Sequence, residues 1–221
     1  MTPARGDHDA RRTEVSEAVW QVLAERGFGG LTLRAVAARM GASTGLLTHY
    51  FPNKRALVAY ALDVLEKRSA QRPRPAAEAV AEVLGAAAGG AAGAAGVAGM
   101  GGRGGGAGRA MLRATLLDIL PLTPAGVAGN RIWVGSWDVA LADPDLAAEH
   151  AARYRRSRER IAELVTAAQR AGELPAERSA EELAAAAQSF VLGLVVQALF
   201  APTEFSPQRQ TDLLDAYLDA I

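Results

Sequence analysis

Apolar residues recur at the spacing of an α-helix along almost the whole chain, and the apolar–polar alternation of a β-strand is almost absent. In the first such segment, Val15, Val19 and Val22 fall on one helical face, and Gly27 follows where a glycine commonly ends a helix. This pattern predicts an all-α protein of about nine helices. The predicted helices cover residues 10–26, 33–40, 43–51, 53–68, 109–120, 131–141, 144–171, 179–200 and 206–221.

The composition excludes several classes of protein. The chain has 221 residues, of which 50% are apolar and 22% charged, and this suits one large folded domain or two smaller ones. It has no cysteine, so disulfides, thiolate catalysis and cysteine-ligated zinc are excluded. Apolar runs such as 191–200 are shorter than the ~20 residues of a membrane span, and Asp7, His8 and Asp9 do not resemble a secretory signal. We therefore expect a soluble, cytoplasmic protein without a membrane segment.

A glycine-rich segment divides the sequence. Twelve of the 23 glycines lie between residues 85 and 108. Each glycine inside a helix costs about 1 kcal/mol relative to alanine, so no stable helix is expected there. We predict a flexible insertion over 85–108, between an N-terminal domain at 9–69 and a C-terminal domain at 109–221. A partner-binding tail or a lid is an alternative role for this segment.

Residues 32–51 carry the clearest functional pattern. Two short helices meet at a tight turn around Gly41. On the second helix, Leu46, Leu47 and Tyr50 share a predicted inner face. A helix face without carboxylates can enter the major groove of DNA, where phosphate would repel an acidic side chain. The opposite face carries only small or polar residues, which are Thr44, Gly45, Thr48 and His49.

Cations flank this second helix and can pair with backbone phosphates. This is the helix-turn-helix layout, in which the second helix contacts base edges and its surroundings contact the DNA backbone. The alternative is a helical corner that only packs on the first helix, and the spacing alone leaves both open. The flanking cations are Arg34, Arg39, Lys54 and Arg55.

The run GLTLRAVAARMGASTGLLTHYFPNKRAL, from Gly30 to Leu57, resembles the DNA-binding domain of TetR-family regulators. It is similar to the choline-responsive, BetI-like branch, and the resemblance covers about residues 9–69. Leu47 departs from the pattern, because many members have tyrosine there. The resemblance implies a three-helix DNA-binding domain. The implied DNA contacts are Thr32, Arg34, Ser43, Thr44, Gly45, Thr48, His49, Tyr50 and Lys54.

The C-terminal half resembles the ligand-binding domain of the same branch, for example at 117–122 and 141–146. This implies a homodimer formed by the last two helices and a cavity for a small-molecule effector among the middle ones. The segment 179–200 is apolar nearly all round, so it needs cover on more than one side. A partner chain or a deeper core of the single chain would supply that cover. The predicted interface residues are Phe190, Leu194, Leu214, Tyr217 and Leu218.

Aromatic residues at helical spacing mark a candidate effector pocket. Such rings, each with a polar edge, can line a site for an apolar or cationic molecule, and packing in the core is the alternative. Asp118 and Asp138 are candidate carboxylates for a cation. The predicted pocket comprises Trp133, Trp137, His150, Tyr154 and Phe190.

No residue pattern indicates catalysis. The three histidines lack the spacing of a zinc site, and the glycine-rich segment has neither the lysine nor the flanking strand of a phosphate loop. We expect no enzyme activity, no cofactor and no metal. The prediction is a repressor that binds a palindromic double-stranded DNA operator as a homodimer and is released by a small-molecule effector. The alternative is a helical protein-interaction module that does not bind DNA.

Overall fold

The computed structural model describes residues 5–71, 73–91 and 106–221, and these residues form eleven α-helices and no strand. The all-α fold is therefore confirmed, with two more helices than the nine predicted. The helices are α1 (Arg5–Arg26), α2 (Leu33–Met40), α3 (Thr44–Tyr50), α4 (Lys54–Gln71), α5 (Pro75–Ala91), α6 (Ala107–Leu117), α7 (Pro124–Gly135), α8 (Trp137–Leu141), α9 (Pro144–Arg170), α10 (Ala180–Phe200) and α11 (Pro207–Asp219).

Local capping residues determine several of these helix ends. The side chains of Thr32, Ser43, Ser179 and Ser206 each accept a hydrogen bond from a backbone N–H three residues later. Ser179 also forms a capping box, because the Glu182 side chain in turn accepts a hydrogen bond from the Ser179 N–H. Helix α2 ends at Gly41, whose φ of 62° lies in the left-handed region that a side chain disfavours. The predicted starts of these four helices, at residues 33, 43, 179 and 206, agree with the structure to within one residue, and the turn predicted at Gly41 is confirmed.

Helix α5 differs from the sequence prediction. It continues to Ala91, so residues 85–91 of the predicted flexible insertion are helical and the prediction is wrong there. Residues 86–88 are alanines, and alanine is the best helix former, which offsets the neighbouring glycines. At the other end of the segment, α6 already begins at Ala107. Residues 92–105 of the predicted insertion lie outside the described residues.

A distant carboxylate caps the start of α5. The N–H groups of Ala76 and Ala77 donate to the Asp118 carboxylate at 3.2 and 3.1 Å. In this structure Asp118, a candidate carboxylate for a cationic effector, is engaged in capping this helix. The other candidate carboxylate, Asp138, is exposed.

The predicted helix over 131–141 begins earlier and is broken. Thr123 caps α7, because its Oγ1 accepts a hydrogen bond from the N–H of Gly126 at 3.0 Å. Pro124 therefore takes the first position of a helix, which proline favours. At Ser136 the hydroxyl donates to the carbonyl oxygen of Trp133 at 2.6 Å, and α7 and α8 separate at this residue.

The chain forms two compact units, and the first unit consists of Met1–Arg72 and Ala128–Glu149. Its core joins apolar residues of α1 to α4 with apolar residues of the later segment. The DNA-binding domain predicted from residues 9–69 therefore shares one core with residues 128–149. Buried residues of this core include Val19, Leu23, Leu47, Leu62, Ile132 and Leu146.

The second unit consists of Pro73–Val127 and His150–Ile221. Its buried side chains include Leu112, Ile161 and Leu183. Among the described helices, α10 alone is long and apolar enough to cross a membrane, and 44% of its most apolar window is buried inside the protein.

Three residues predicted for a dimer interface lie inside the second unit. Leu194, Leu214 and Leu218 are 3%, 0% and 2% exposed, so the chain's own helices cover them and the prediction is wrong at these positions. Phe190 and Tyr217 stack with ring centroids 4.4 Å apart, and burial raises the pKa of the Tyr217 phenol. The sequence does not distinguish the core side of α10 from its outer side, because this helix carries apolar residues on nearly all of its faces.

Glu173 supplies a cap that α6 lacks locally. The residue before this helix is Gly106, which has no side chain to cap it. The N–H groups of Arg109 and Gly106 donate to the Glu173 carboxylate at 2.7 and 2.8 Å. These bonds, the one from Arg109 above all, hold the pKa of Glu173 below its ordinary value.

We expect Glu173→Ala to lower the free energy of unfolding by about 1 kcal/mol near neutral pH, which is typical of a lost helix cap. Because the folded pKa lies below the unfolded one, this contribution is present above about pH 4.3 and is lost as the pH falls through the folded pKa. Urea denaturation across this pH range measures the difference. Glu177→Ala, at an exposed glutamate nearby, is the control. A difference that does not change with pH would contradict the assignment.

Candidate nucleic-acid interface

Two apolar side chains hold helix α3 against the core of the first unit. Leu47 is fully buried, and Phe51, directly after the helix, is 5% exposed. The Phe51 ring packs against Tyr60 of α4 with centroids 5.1 Å apart. At the other end of α3, Ser43 Oγ accepts a hydrogen bond from the N–H of Leu46 at 3.4 Å. These contacts determine which side of the seven-residue helix faces outward.

The outward face of α3 is polar. Thr44, Gly45, Thr48 and His49 are all exposed, and no residue of this helix is acidic. Tyr50 was predicted on the inner face, but it is 37% exposed, and its ring meets His49 edge-on with centroids 6.0 Å apart. The inner-face prediction for Tyr50 is wrong because the residue after it occupies the buried position. We call these five residues the α3 face.

The Thr48 hydroxyl has a defined orientation. It donates to the carbonyl oxygen of Gly45 at 2.9 Å. A threonine hydroxyl has one hydrogen and two acceptor lone pairs, so with the hydrogen engaged Oγ1 can only accept. In the major groove, the matching donors are the amino groups of adenine and cytosine.

A cleft of about 370 Å³ lies beside α3 at the starts of α2 and α4. Arg34 and Lys54 line it and are exposed, and neither forms an ion pair within the part of the chain that the structure describes. Thr32 and Thr44 also line it. Two free cations and two hydroxyls suit a phosphate of the DNA backbone. We call this site the cation cleft.

The other two flanking cations are paired with carboxylates. Arg39 forms an ion pair with Glu25. Arg55 binds Asp143, with Nε 2.6 Å from Oδ2, and also Asp145. The hydrogen bond to Asp143 raises the pKa of Arg55 and lowers that of Asp143. Carboxylates of the chain therefore engage Arg39 and Arg55 in this structure, and their predicted pairing with phosphates is not supported by it.

Asp143 is a functional partner that the sequence pattern does not reveal. Its Oδ1 accepts hydrogen bonds from the N–H groups of Asp145 and Leu146 at 3.0 and 3.3 Å, which caps α9. The Asp-Pro pair at 143–144 predicts this helix start. No local signal predicts the ion pair with Arg55, because 88 residues separate the two.

The five predicted pocket residues are distributed over both units. Trp133 and Trp137 belong to the first unit, where Trp133 packs against the buried core. His150 and Tyr154 belong to the second unit, with their rings stacked and centroids 6.2 Å apart. Burial lowers the pKa of His150, so its imidazole is neutral near neutral pH. Phe190 also belongs to the second unit.

Two family models match the chain. The model described as bacterial regulatory proteins, tetR family, matches residues 16–61, which include both helices of the helix-turn-helix. The model described as BetI-type transcriptional repressor, C-terminal, matches residues 108–221, which is 114 of 221 residues and more than half of the chain.

Two curated relatives resemble the chain over shorter stretches. The HTH-type transcriptional regulator PksA of Bacillus subtilis (strain 168) is 37% identical over 70 residues, 32% of this chain and 34% of that protein. The HTH-type transcriptional regulator BetI of Burkholderia thailandensis is 38% identical over 56 residues, 25% of this chain and 29% of that protein. The chain thus matches about a third of the length of these relatives.

The fold also resembles that of solved regulators. One is a putative transcriptional regulator from Saccharomonospora viridis, whose crystal structure is a complex with choline. Its TM-score is 0.73 at 20% identity, and the alignment covers 96% of each chain. At this identity the likeness establishes the fold alone.

Lys54 and Arg55 are adjacent cations, one free and one paired, and they give a matched pair of variants. Lys54→Ala should weaken binding to random-sequence duplex DNA and flatten the slope of log affinity against log salt by about one, because one phosphate contact is lost. Arg55→Ala removes the same charge and should leave the slope unchanged. Fluorescence anisotropy across a salt series measures both. An equal change of slope in the two variants would contradict the assignment of the cation cleft.

Proposed function

The chain belongs to the TetR family of bacterial regulatory proteins, and we propose that it is a repressor that binds a palindromic operator as a homodimer and is released by a small-molecule effector. The family consists of transcriptional regulators, so the chain is a DNA-binding regulator and not an enzyme. What we propose beyond this is the palindromic operator, the homodimer and the release by a small-molecule effector. A regulator of this kind acts in the bacterial cytoplasm, where the DNA lies.

The α3 face is the observation that carries the proposal. It presents hydroxyls, an imidazole and a phenol outward without a carboxylate, and the cation cleft lies beside it. Hydrogen-bonding side chains on an exposed helix can contact base edges, while neighbouring cations fix the position of the helix through phosphates. A helical corner that only packs on the rest of the chain would not need a polar face without carboxylates and a pair of cations beside it.

Residues on the outer side of α10 support a homodimer. Ser189, Gly193, Gln197 and Phe200 are exposed and lie at helical spacing on one side of α10. Phe200 is 83% exposed, which is unusual for so large an apolar ring. A second copy of the chain would cover this side and replace the interface first predicted from buried leucines. Two-fold symmetry then places two α3 helices about 34 Å apart, or near a multiple of one DNA turn.

We place the effector in the C-terminal domain, which matches the BetI-type model. His150 and Tyr154 remain candidate contacts, because a neutral imidazole and a phenol can both donate and accept hydrogen bonds. Release requires only that the effector bind more tightly to a dimer whose α3 helices no longer fit successive major grooves.

Selection from a pool of random duplexes tests the proposal directly. The enriched sequences should contain an inverted repeat with half-sites about one helical turn apart. Gel-shift assays at about 50 and 200 mM salt should then show specific binding that weakens steeply with salt. No binding to any duplex at the lower salt would contradict the proposal. That result would favour a helical module that binds a protein partner.

In the same assay, Thr48→Ala and His49→Ala should each reduce the ratio of operator affinity to random-DNA affinity by about fivefold or more, because base contacts are lost. Thr211→Ala is the matched control, since the Thr211 hydroxyl also donates to a backbone carbonyl of its own helix, at 3.0 Å. Equal losses on both DNAs for Thr48→Ala would show that Thr48 does not contact bases.

A further inference from the structure

We infer that the effector of this chain is a small organic anion, whose negative charge is bound by Arg153 inside the second unit. The inference rests on the proposed release by an effector and adds the chemical class of that effector. A group of polar residues where α9 meets α10 carries the argument. It consists of His150, Arg153, Tyr154 and Arg158 of α9 and Gln188 of α10, and we call it the α9–α10 cluster.

The buried side of α9 changes from apolar to polar within the second unit. Near the C-terminal end of the helix, Ile161, Val165 and Ala168 are 1%, 1% and 0% exposed. In its N-terminal half, the buried residues of this unit are His150 and Arg153. Burying a polar group costs free energy unless it is hydrogen-bonded, and burying a charge costs more. This half of the helix therefore needs polar or charged partners and not apolar packing alone.

Helix α10 brings a polar residue to the same place. Gln188 is the single polar residue among the buried residues of this helix. Its amide oxygen accepts a hydrogen bond from Arg158 Nη1 at 3.2 Å, and its amide nitrogen donates to the carbonyl oxygen of Tyr154 at 3.2 Å. The Tyr154 ring in turn stacks on that of His150. Polar contacts thus join the two helices in the interior of the unit.

The α9–α10 cluster is positively charged. Its two charged members, Arg153 and Arg158, are both cations, and Arg153 is the one charged side chain among the buried residues in the part of the chain that the structure describes. Burial lowers the pKa of the His150 imidazole, and the charge of Arg153 lowers it further, so this ring lies in a positive potential. An anion bound here is attracted by that potential, whereas a cation is repelled.

The carboxylates of the second unit offer no site for a cation in its interior, as far as the described residues extend. Three of them are partly buried, and each is engaged: Asp118 caps α5, Glu173 caps α6, and Asp215 pairs with an arginine of α6. The other aspartates and glutamates of this unit are exposed. Glu149 of the first unit, the carboxylate closest to Arg153 along the chain, is exposed as well. A buried ammonium group would therefore lack a buried counter-charge.

A carboxylate suits the donors of the α9–α10 cluster. The guanidinium of Arg153 is a planar fork that can donate two parallel hydrogen bonds to a carboxylate. The neutral imidazole of His150 and the phenol of Tyr154 can each donate one more. Such bonds are stronger in a low-dielectric interior than in water. The effector class is therefore anionic, in place of the apolar or cationic molecule that the aromatic residues alone suggested.

Isothermal titration calorimetry on the intact chain without DNA tests this class. The probes are butyrate, octanoate, benzoate and phenylacetate, each beside its primary amide, which has nearly the same shape without the charge. Choline is the cationic probe. We expect at least one carboxylate to bind, its amide to bind at least about tenfold more weakly, and choline not to bind.

A matched pair of variants locates the site. Arg153→Gln removes the charge and should weaken carboxylate binding by about tenfold or more, whereas Arg155→Gln, at an exposed arginine of the same helix, should bind like the wild type. Arg153→Lys keeps the charge without the planar fork, so its affinity should lie between those of Arg153→Gln and the wild type. This variant and the comparison with the amides keep the test decisive if Arg153→Gln does not fold.

Four results would overturn the inference: no carboxylate binds, a carboxylate and its amide bind equally, choline binds more tightly than every carboxylate, or Arg155→Gln loses as much affinity as Arg153→Gln. The proposed function is tested separately, because the titration contains no DNA. A carboxylate that binds should also lower the affinity of the chain for its selected duplex. Carboxylate binding without this effect would contradict the proposed release and leave the anion site intact.

Discussion

The burial of Leu47 is the contact on which the orientation of α3 depends. A helix of seven residues is too short to be stable alone, so its conformation comes from tertiary packing. Leu47 has no exposed surface, and a buried leucine typically contributes about 2–5 kcal/mol relative to alanine. Phe51 extends the same anchored side beyond the end of the helix. Because this side is fixed against the core, the polar residues of α3 face outward.

Pairing among charged groups then determines where an anion can bind. The chain has a formal net charge of zero, so its attraction to DNA must be local. Exposed ion pairs contribute little to the stability of the fold. In this structure, however, carboxylates occupy Arg39 and Arg55 and so compete with DNA phosphates for these two cations. Arg34 and Lys54 remain, and both line the same cleft. The positive surface next to α3 is therefore small and well defined.

The features that could be predicted from the sequence are those with local causes. The cap at Ser43 and the turn at Gly41 involve residues within one helical turn, and the sequence pattern identifies both. Contacts between distant segments have no such signal, as in the capping of α6 by Glu173 and the pairing of Arg55. The core side and the outer side of α10 could not be predicted, for a different reason. A helix that is apolar all round carries no periodicity that separates its core side from its outer side.

Hydroxyl-radical footprinting of the protein, with and without its selected duplex, tests most directly whether the α3 face contacts DNA. His49 and Tyr50 are exposed and carry rings that such radicals modify, so their rates can be followed by mass spectrometry. The account predicts that saturating duplex slows the modification of both, while Trp133, which packs against the protein core, keeps its rate. Unchanged rates at His49 and Tyr50 in a complex that demonstrably forms would contradict the account.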